Sequence, residues 1–134
     1  MGFYSTSLGL VGIYAGINIL INLFLAYRVS ANRVRSKVMT GTGSDEPLYN
    51  ASRAHITNVE YTPIGLIGLL ALHLLAASIY VMHVVGLALT IGRILHAIGV
   101  SRTGESSPPR LAGTLLTWIS QLVAGVACLW YAIV

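Results

Sequence analysis

The sequence predicts an all-α protein: an integral membrane four-helix bundle of up-down topology, forming a single domain over residues 1–134. Three observations carry that prediction. Hydrophobic residues make up 55% of the chain and charged residues only 9%, where a soluble domain carries about 25% charged residues. The eight basic and four acidic residues all fall in two blocks, Arg28 to Glu60 and Arg93 to Arg110. Residues 1–27, 61–92 and 111–134 carry no charge, and three such stretches cannot all be buried in so small a soluble domain. The same scarcity excludes a disordered chain and a nucleic-acid binder built on a basic surface. A single cysteine, Cys128, excludes a disulfide scaffold.

A helix needs about 20 mainly apolar residues to cross the hydrocarbon core. The first uncharged stretch supplies a span at 8–27. A loop follows at 28–47, containing the low-complexity run Thr40-Gly41-Thr42-Gly43-Ser44. The second span is placed at 48–77, starting near Pro47-Leu48 because Tyr49 to Tyr61 contains no breaker. Pro63 then kinks a helix rather than starting one. The small polar group Ala76-Ala77-Ser78 breaks the long middle stretch, and a third span runs over 80–99. After a second loop at 100–110, Pro108-Pro109 opens a fourth span at 111–133.

Orientation follows from the basic residues. Arg28, Arg33, Arg35 and Lys37 lie after helix 1, and Arg102 and Arg110 after helix 3. The N-terminal tail, the turn between helices 2 and 3, and the C-terminus have no basic residue. Both loops are therefore expected on the cytoplasmic side and both termini on the other. No positive segment of a cleavable signal peptide precedes helix 1. Met1-Gly2 with Thr6 matches a myristoylation pattern only formally, since the tail is expected on the non-cytoplasmic side.

Ionisable groups at membrane depth are costly and point to function. At about 100° per residue, Arg53, Thr57 and Glu60 share one face of helix 2, with Tyr49 one turn earlier. Such a stripe could hold a zwitterionic ligand, Arg53 taking a carboxylate and Glu60 an ammonium. It could equally be an ion pair that neutralises two buried charges. On helix 3, Arg93 and His96 share a face. Arg93 either snorkels to the surface or turns inward to pair with Glu60. Arg110 follows the two prolines, where it either sets topology or aims a cation at the bundle mouth, lowering the pKa of a bound thiol.

Asn18 and Asn22 on helix 1, with the Gly12–Gly16 pair, suggest a packing or oligomer-forming helix. His55, His73, His83 and His96 have no zinc-type spacing, so no metal is expected. His73 and His83 are expected to be packing residues or bonded to their own helices, and Cys128 an inert filler.

The order and spacing of these clusters resemble the MAPEG family, the membrane-associated proteins in eicosanoid and glutathione metabolism, in its bacterial branch. Arg53-Ala54-His55 with Glu60-Tyr61-Thr62-Pro63 is similar to the family's R-A-x-x-N-x-x-E-Y-x-P signature. Gly92-Arg93 with His96 resembles its G-R-x-x-H segment, and Arg110-Leu111-Ala112-Gly113 the start of its fourth helix. The resemblance implies a homotrimer with glutathione as co-substrate between subunits. Arg53, Glu60 and Tyr61 would hold the tripeptide, Arg93 and His96 would support the site, and Arg110 would stabilise the thiolate. Arg33 would touch the glycyl carboxylate. Two departures stand out: Thr57 replaces the signature asparagine, and Val100 stands where several eukaryotic members have a tyrosine.

The implied function is a glutathione-dependent membrane transferase or peroxidase acting on hydrophobic electrophiles or lipid hydroperoxides. Its partners would be membrane lipid and a hydrophobic small molecule, and its location a bacterial inner membrane. The alternative is a non-catalytic MAPEG-fold protein with a binding or structural role. A small multidrug transporter is disfavoured because helix 1 has no acidic residue.

Overall fold

A computed structural model describes residues 3–103 and 105–134, with side chains from Thr6 onward; the Met1-Gly2 pattern lies outside them. Four helices account for the fold: α1 (Phe3–Ser36), α2 (Glu46–Leu74), α3 (Ile79–Arg102) and α4 (Pro108–Ile133). No strand occurs among the described residues.

The up-down topology can be read from two apolar clusters at opposite ends. Tyr14 of α1 packs with Leu69 and Leu72 of α2, Met82 and Val85 of α3, and Ala124 of α4. Leu25 packs with Ala54, Ala97 and Val100. The early half of each odd helix therefore meets the late half of each even one. Most large apolar side chains outside these clusters face outward, among them Leu20, Phe24, Ile67, Leu122 and Trp130. That inversion of a soluble protein's surface is what lipid requires.

Three helices, α1, α3 and α4, are long and apolar enough to cross a membrane. The predicted second span is not among them. At 29 residues α2 is long enough, about 43 Å at 1.5 Å per residue, but its first four turns carry the polar cluster. It is continuous through Pro63, as a kinking rather than a starting proline allows.

The helix ends differ from the spans in instructive ways. α1 continues nine residues past Tyr27, to Ser36, because nothing between Arg28 and Ser36 breaks a helix; bilayer thickness limits the span, not the helix. It stops where Lys37 turns left-handed (φ 58°), and Gly41 and Gly43 repeat that conformation in the loop. α2 ends just before Ala76-Ala77-Ser78. The Ala77 N–H donates to the Leu72 carbonyl and the Ala76 N–H to that of His73, a Schellman closure with Ala76, at φ 54°, where glycine is usual.

Asp45 caps α2, accepting from the Leu48 N–H at 2.8 Å and from Arg35 at 2.6 Å. The Leu48 amide first, then Arg35, hold its carboxyl below the ordinary value. A depressed folded-state pKa stabilises above the ordinary carboxyl range and is lost as pH falls through the folded value. The melting temperature of the protein in detergent should therefore fall on acidification below about pH 4, and less so in Asp45→Asn. Parallel acid limbs in the two proteins would show that the cap does not contribute.

The polar face of α1 is an interhelical seam. The fully buried Asn18 donates to the Thr90 hydroxyl at 2.9 Å, and Asn22 accepts from Asn58 at 3.1 Å. Gly12 and Gly16 have open space beside them, so this pair makes no close approach within the chain. His73 and His83 link helices: Ser7 reaches His73 at 2.9 Å and Tyr14 reaches His83 at 2.8 Å, tying α1 to α2 and α3. The half-buried Cys128 sits 3.7 Å from the Gly68 carbonyl.

Candidate functional site

Where α2 begins and α3 ends, three helices converge on a cavity of about 190 Å³. Seven residues singled out from the sequence line it: Arg53, Thr57, Glu60 and Tyr61 from α2, Arg93 and His96 from α3, and Arg110 from α4. A recess of about 40 Å³ adjoins it, sharing Arg53, Thr57, His96 and Arg110 and adding Tyr49, Asn50 and Val100.

Glycine brings α3 and α4 close enough for this. A Cβ on Gly99 would lie 2.5 Å from the Arg110 amide nitrogen, and one on Gly113 would lie 2.6 Å from the Gly92 carbonyl oxygen. Only bare backbone permits that approach. It sets Arg110, at the head of α4, against the last turns of α3.

Arg93 is 1% exposed. It does not snorkel, and its guanidinium is taken up by Asn58 and His96 rather than by Glu60. Nε donates to the Asn58 Oδ1 at 3.2 Å, and Nη2 lies 3.3 Å from the His96 Nδ1. A guanidinium has only donors, so Nδ1 accepts and the ring proton sits on Nε2. The guanidinium carbon also lies 5.7 Å from the centroid of the Tyr61 ring, within cation–π range.

Arg53 and Glu60 are exposed side chains at the cavity wall, and no ion pair joins them among the described residues. The intramolecular ion-pair reading of the stripe is therefore not what forms. Thr57 lines the cavity but donates its hydroxyl to the Arg53 carbonyl at 2.8 Å. Its proton is spent on its own helix, and it can offer a ligand only acceptor lone pairs. Arg110 donates to the Glu105 carbonyl at 3.3 Å, which orients it across the start of α4.

Arg33 does not line the cavity of its own chain. Because α1 runs on to Ser36, Arg33 lies in its last turn, and its Nη1 points at the carbonyls of Val38, Met39 and Gly41 at 2.9–3.2 Å. It closes the loop after α1.

Asn58 is the residue that periodicity missed. Set about 100° from Thr57 and farther still from Arg53 and Glu60, it points into the bundle and is fully buried. It accepts from Arg93 and from the Thr62 hydroxyl at 3.1 Å, and donates to Asn22. Thr114, Thr117 and Trp118 also line the cavity. Their spacing of four, seven and eight from Arg110 is a helical face, and that signal was legible.

Fold and site together define a class: a small four-helix membrane bundle with a cavity of three arginines and one carboxylate. The chain belongs to the MAPEG family, whose model matches residues 11–130. Similar proteins are the inner membrane protein YecN of Escherichia coli K12 and its counterpart in E. coli O6:H1. Each is 29% identical over 119 residues, covering 89% of this chain and 89% of the relative. No solved structure is significantly similar.

Proposed function

We propose that the protein is a glutathione-dependent inner-membrane transferase or peroxidase acting on hydrophobic electrophiles or lipid hydroperoxides. The observation that carries this reading is the convergence of Arg53, Glu60 and Arg110 on one cavity from two helices. Glutathione presents two carboxylates, an ammonium and a thiol. Arg53 suits a carboxylate and Glu60 the ammonium. Arg110 stabilises the thiolate, which is the nucleophile. In conjugation the thiol gives up its proton to solvent and the thiolate sulfur bonds to the electrophilic carbon, while the carbon–leaving-group bond breaks and the leaving group, chloride in chlorodinitrobenzene, departs with its electron pair.

A cavity of about 190 Å³ in one chain is below the roughly 300–1,000 Å³ of a complete small-molecule site. That supports a homotrimer in which a neighbouring subunit supplies the rest. Membership of the MAPEG family and the relatives named as inner membrane proteins support the location; the basic residues of the two loops support an orientation with both loops cytoplasmic and both termini opposite.

A non-catalytic binding protein is the second reading, favoured by Thr57, whose hydroxyl proton is already committed to Arg53. Millimolar reduced glutathione should raise the melting temperature and support conjugation of chlorodinitrobenzene. Stabilisation without conjugation selects the second reading, and neither effect removes both. Arg110→Ala should raise the pKa of the bound thiol by about one unit, the low end of a neighbouring charge's effect. The rate at neutral pH then falls about tenfold while much of the affinity stays. An unchanged thiol pKa would remove Arg110 from this role.

A further inference from the structure

Between α1 and α3, at the same end of the bundle, lies an open groove of about 590 Å³. It shares no lining residue with the cavity described above. Its walls are apolar, with Leu20 and Phe24 from α1 and Ile94 and Ile98 from α3; its rim is basic, with Arg28 and Arg102. Arg28 reaches across from α1 and donates to the Ser101 hydroxyl of α3. No carboxylate stands among the described lining residues.

Depth and charge together select an occupant. On α1 the lining runs from Ile17 to Arg28, a rise of about 16 Å at 1.5 Å per residue. That is close to half of the roughly 30 Å hydrocarbon core, the depth of one leaflet. An uncharged apolar molecule would leave both guanidinium groups uncompensated, and a soluble anion would leave the apolar walls uncovered. A zwitterionic headgroup would set its ammonium against two cations. We propose that the groove binds an anionic phospholipid from the leaflet on the loop side. One acyl chain lies along Leu20, Phe24, Ile94 and Ile98, and Arg28 and Arg102 hold the phosphate. This site stands independently of the glutathione reading.

The test is native mass spectrometry of the full chain released from detergent with phosphatidylglycerol or phosphatidylethanolamine of identical acyl chains. Phosphatidylglycerol should be retained in preference. A basic residue near an anionic headgroup contributes about fivefold in affinity. Arg102→Gln should therefore weaken retention about fivefold, and Arg28→Gln with Arg102→Gln about 30-fold. Arg102 is exposed and, among the described residues, makes no hydrogen bond like that of Arg28 to Ser101, so its single substitution is read first. Ile98→Trp keeps both arginines but fills the groove, and should also lose the lipid. Glycerol phosphate, which has the headgroup without the chains, should not compete. Equal retention of the two lipids would overturn the proposal, as would full displacement by glycerol phosphate. Wild-type retention in Ile98→Trp would overturn it too, and a changed oligomeric mass in that variant would then mark the groove as a contact between copies.

Discussion

Gly113→Ala should cost about 3 kcal/mol or more, at or above the top of the usual range for overpacking. A Cβ at this position meets the backbone of α3, at the His96 amide nitrogen and, 2.6 Å away, at the Gly92 carbonyl oxygen. Backbone atoms cannot rotate aside as a flexible side chain can, so the helices must separate. The approach is shared along the seam: a Cβ on Gly92 would lie 2.9 Å from the Thr117 amide nitrogen, and one on Gly99 would lie 2.5 Å from that of Arg110. In lipid, with little hydrophobic drive between helices, such close contact supplies much of the association energy. Gly125→Ala is the control on the same helix, since nothing lies within 4 Å of its added carbon. It should be neutral or gain about 0.5–1 kcal/mol. Reversible unfolding in mixed micelles gives both values. If the two variants differ by less than about 1 kcal/mol, α3 and α4 do not meet through bare backbone at Gly113. Because the seam sets Arg110 beside α3, Gly113→Ala should also weaken glutathione stabilisation, whereas Gly125→Ala should leave it intact.

What could be read before the structure was whatever a single helix determines. Segregated charge marks the bundle, and a period of 3.6 residues places Arg53, Thr57 and Glu60 on one face. Arg93 and His96 follow in the same way. The helix lengths were less legible, because a hydropathy boundary reports where lipid ends and not where a backbone stops being helical. α1 passes Tyr27 for that reason, and Arg33, in its last turn, closes the following loop instead of lining its own chain's cavity. Contacts between helices were least legible. Arg93 could be placed on a face, but its partner depends on the register of α2 against α3, which no local pattern encodes. Thr57 and Asn58 show the same limit. Thr57 occupies the signature position and turns its proton to its own backbone. The adjacent asparagine, off the stripe, reaches the arginine of the next helix.

Asn58→Leu should therefore be among the most damaging substitutions in the protein, costing about 3 kcal/mol, the upper figure for losing a hydrogen bond to a charged group. Asn58 joins three helices: it donates to Asn22 of α1, accepts from Thr62 in its own helix, and accepts from the Arg93 Nε of α3. Leucine fills a similar volume but leaves a guanidinium that is 1% exposed without one of its two acceptors. An orphaned buried charge costs more than the lost bond was worth, because the group was desolvated to make it. Two further variants identify that mechanism. Asn58→Asp still accepts from Arg93 and Thr62 and loses only the donation to Asn22, so it should be milder than Asn58→Leu. Combining Asn58→Leu with Arg93→Met removes both ends of the bond and should recover a large part of the stability. If the double variant is as unstable as the sum of its single variants, the cost lies in packing and not in the stranded charge. Stability and binding should then separate. Arg93 lines the cavity, bonds His96 and lies over the Tyr61 ring, so the recovered double variant should fold and still fail to be stabilised by glutathione. Stabilisation at the wild-type level would show that Arg93 serves the fold alone, leaving the ligand to Arg53, Glu60 and Arg110.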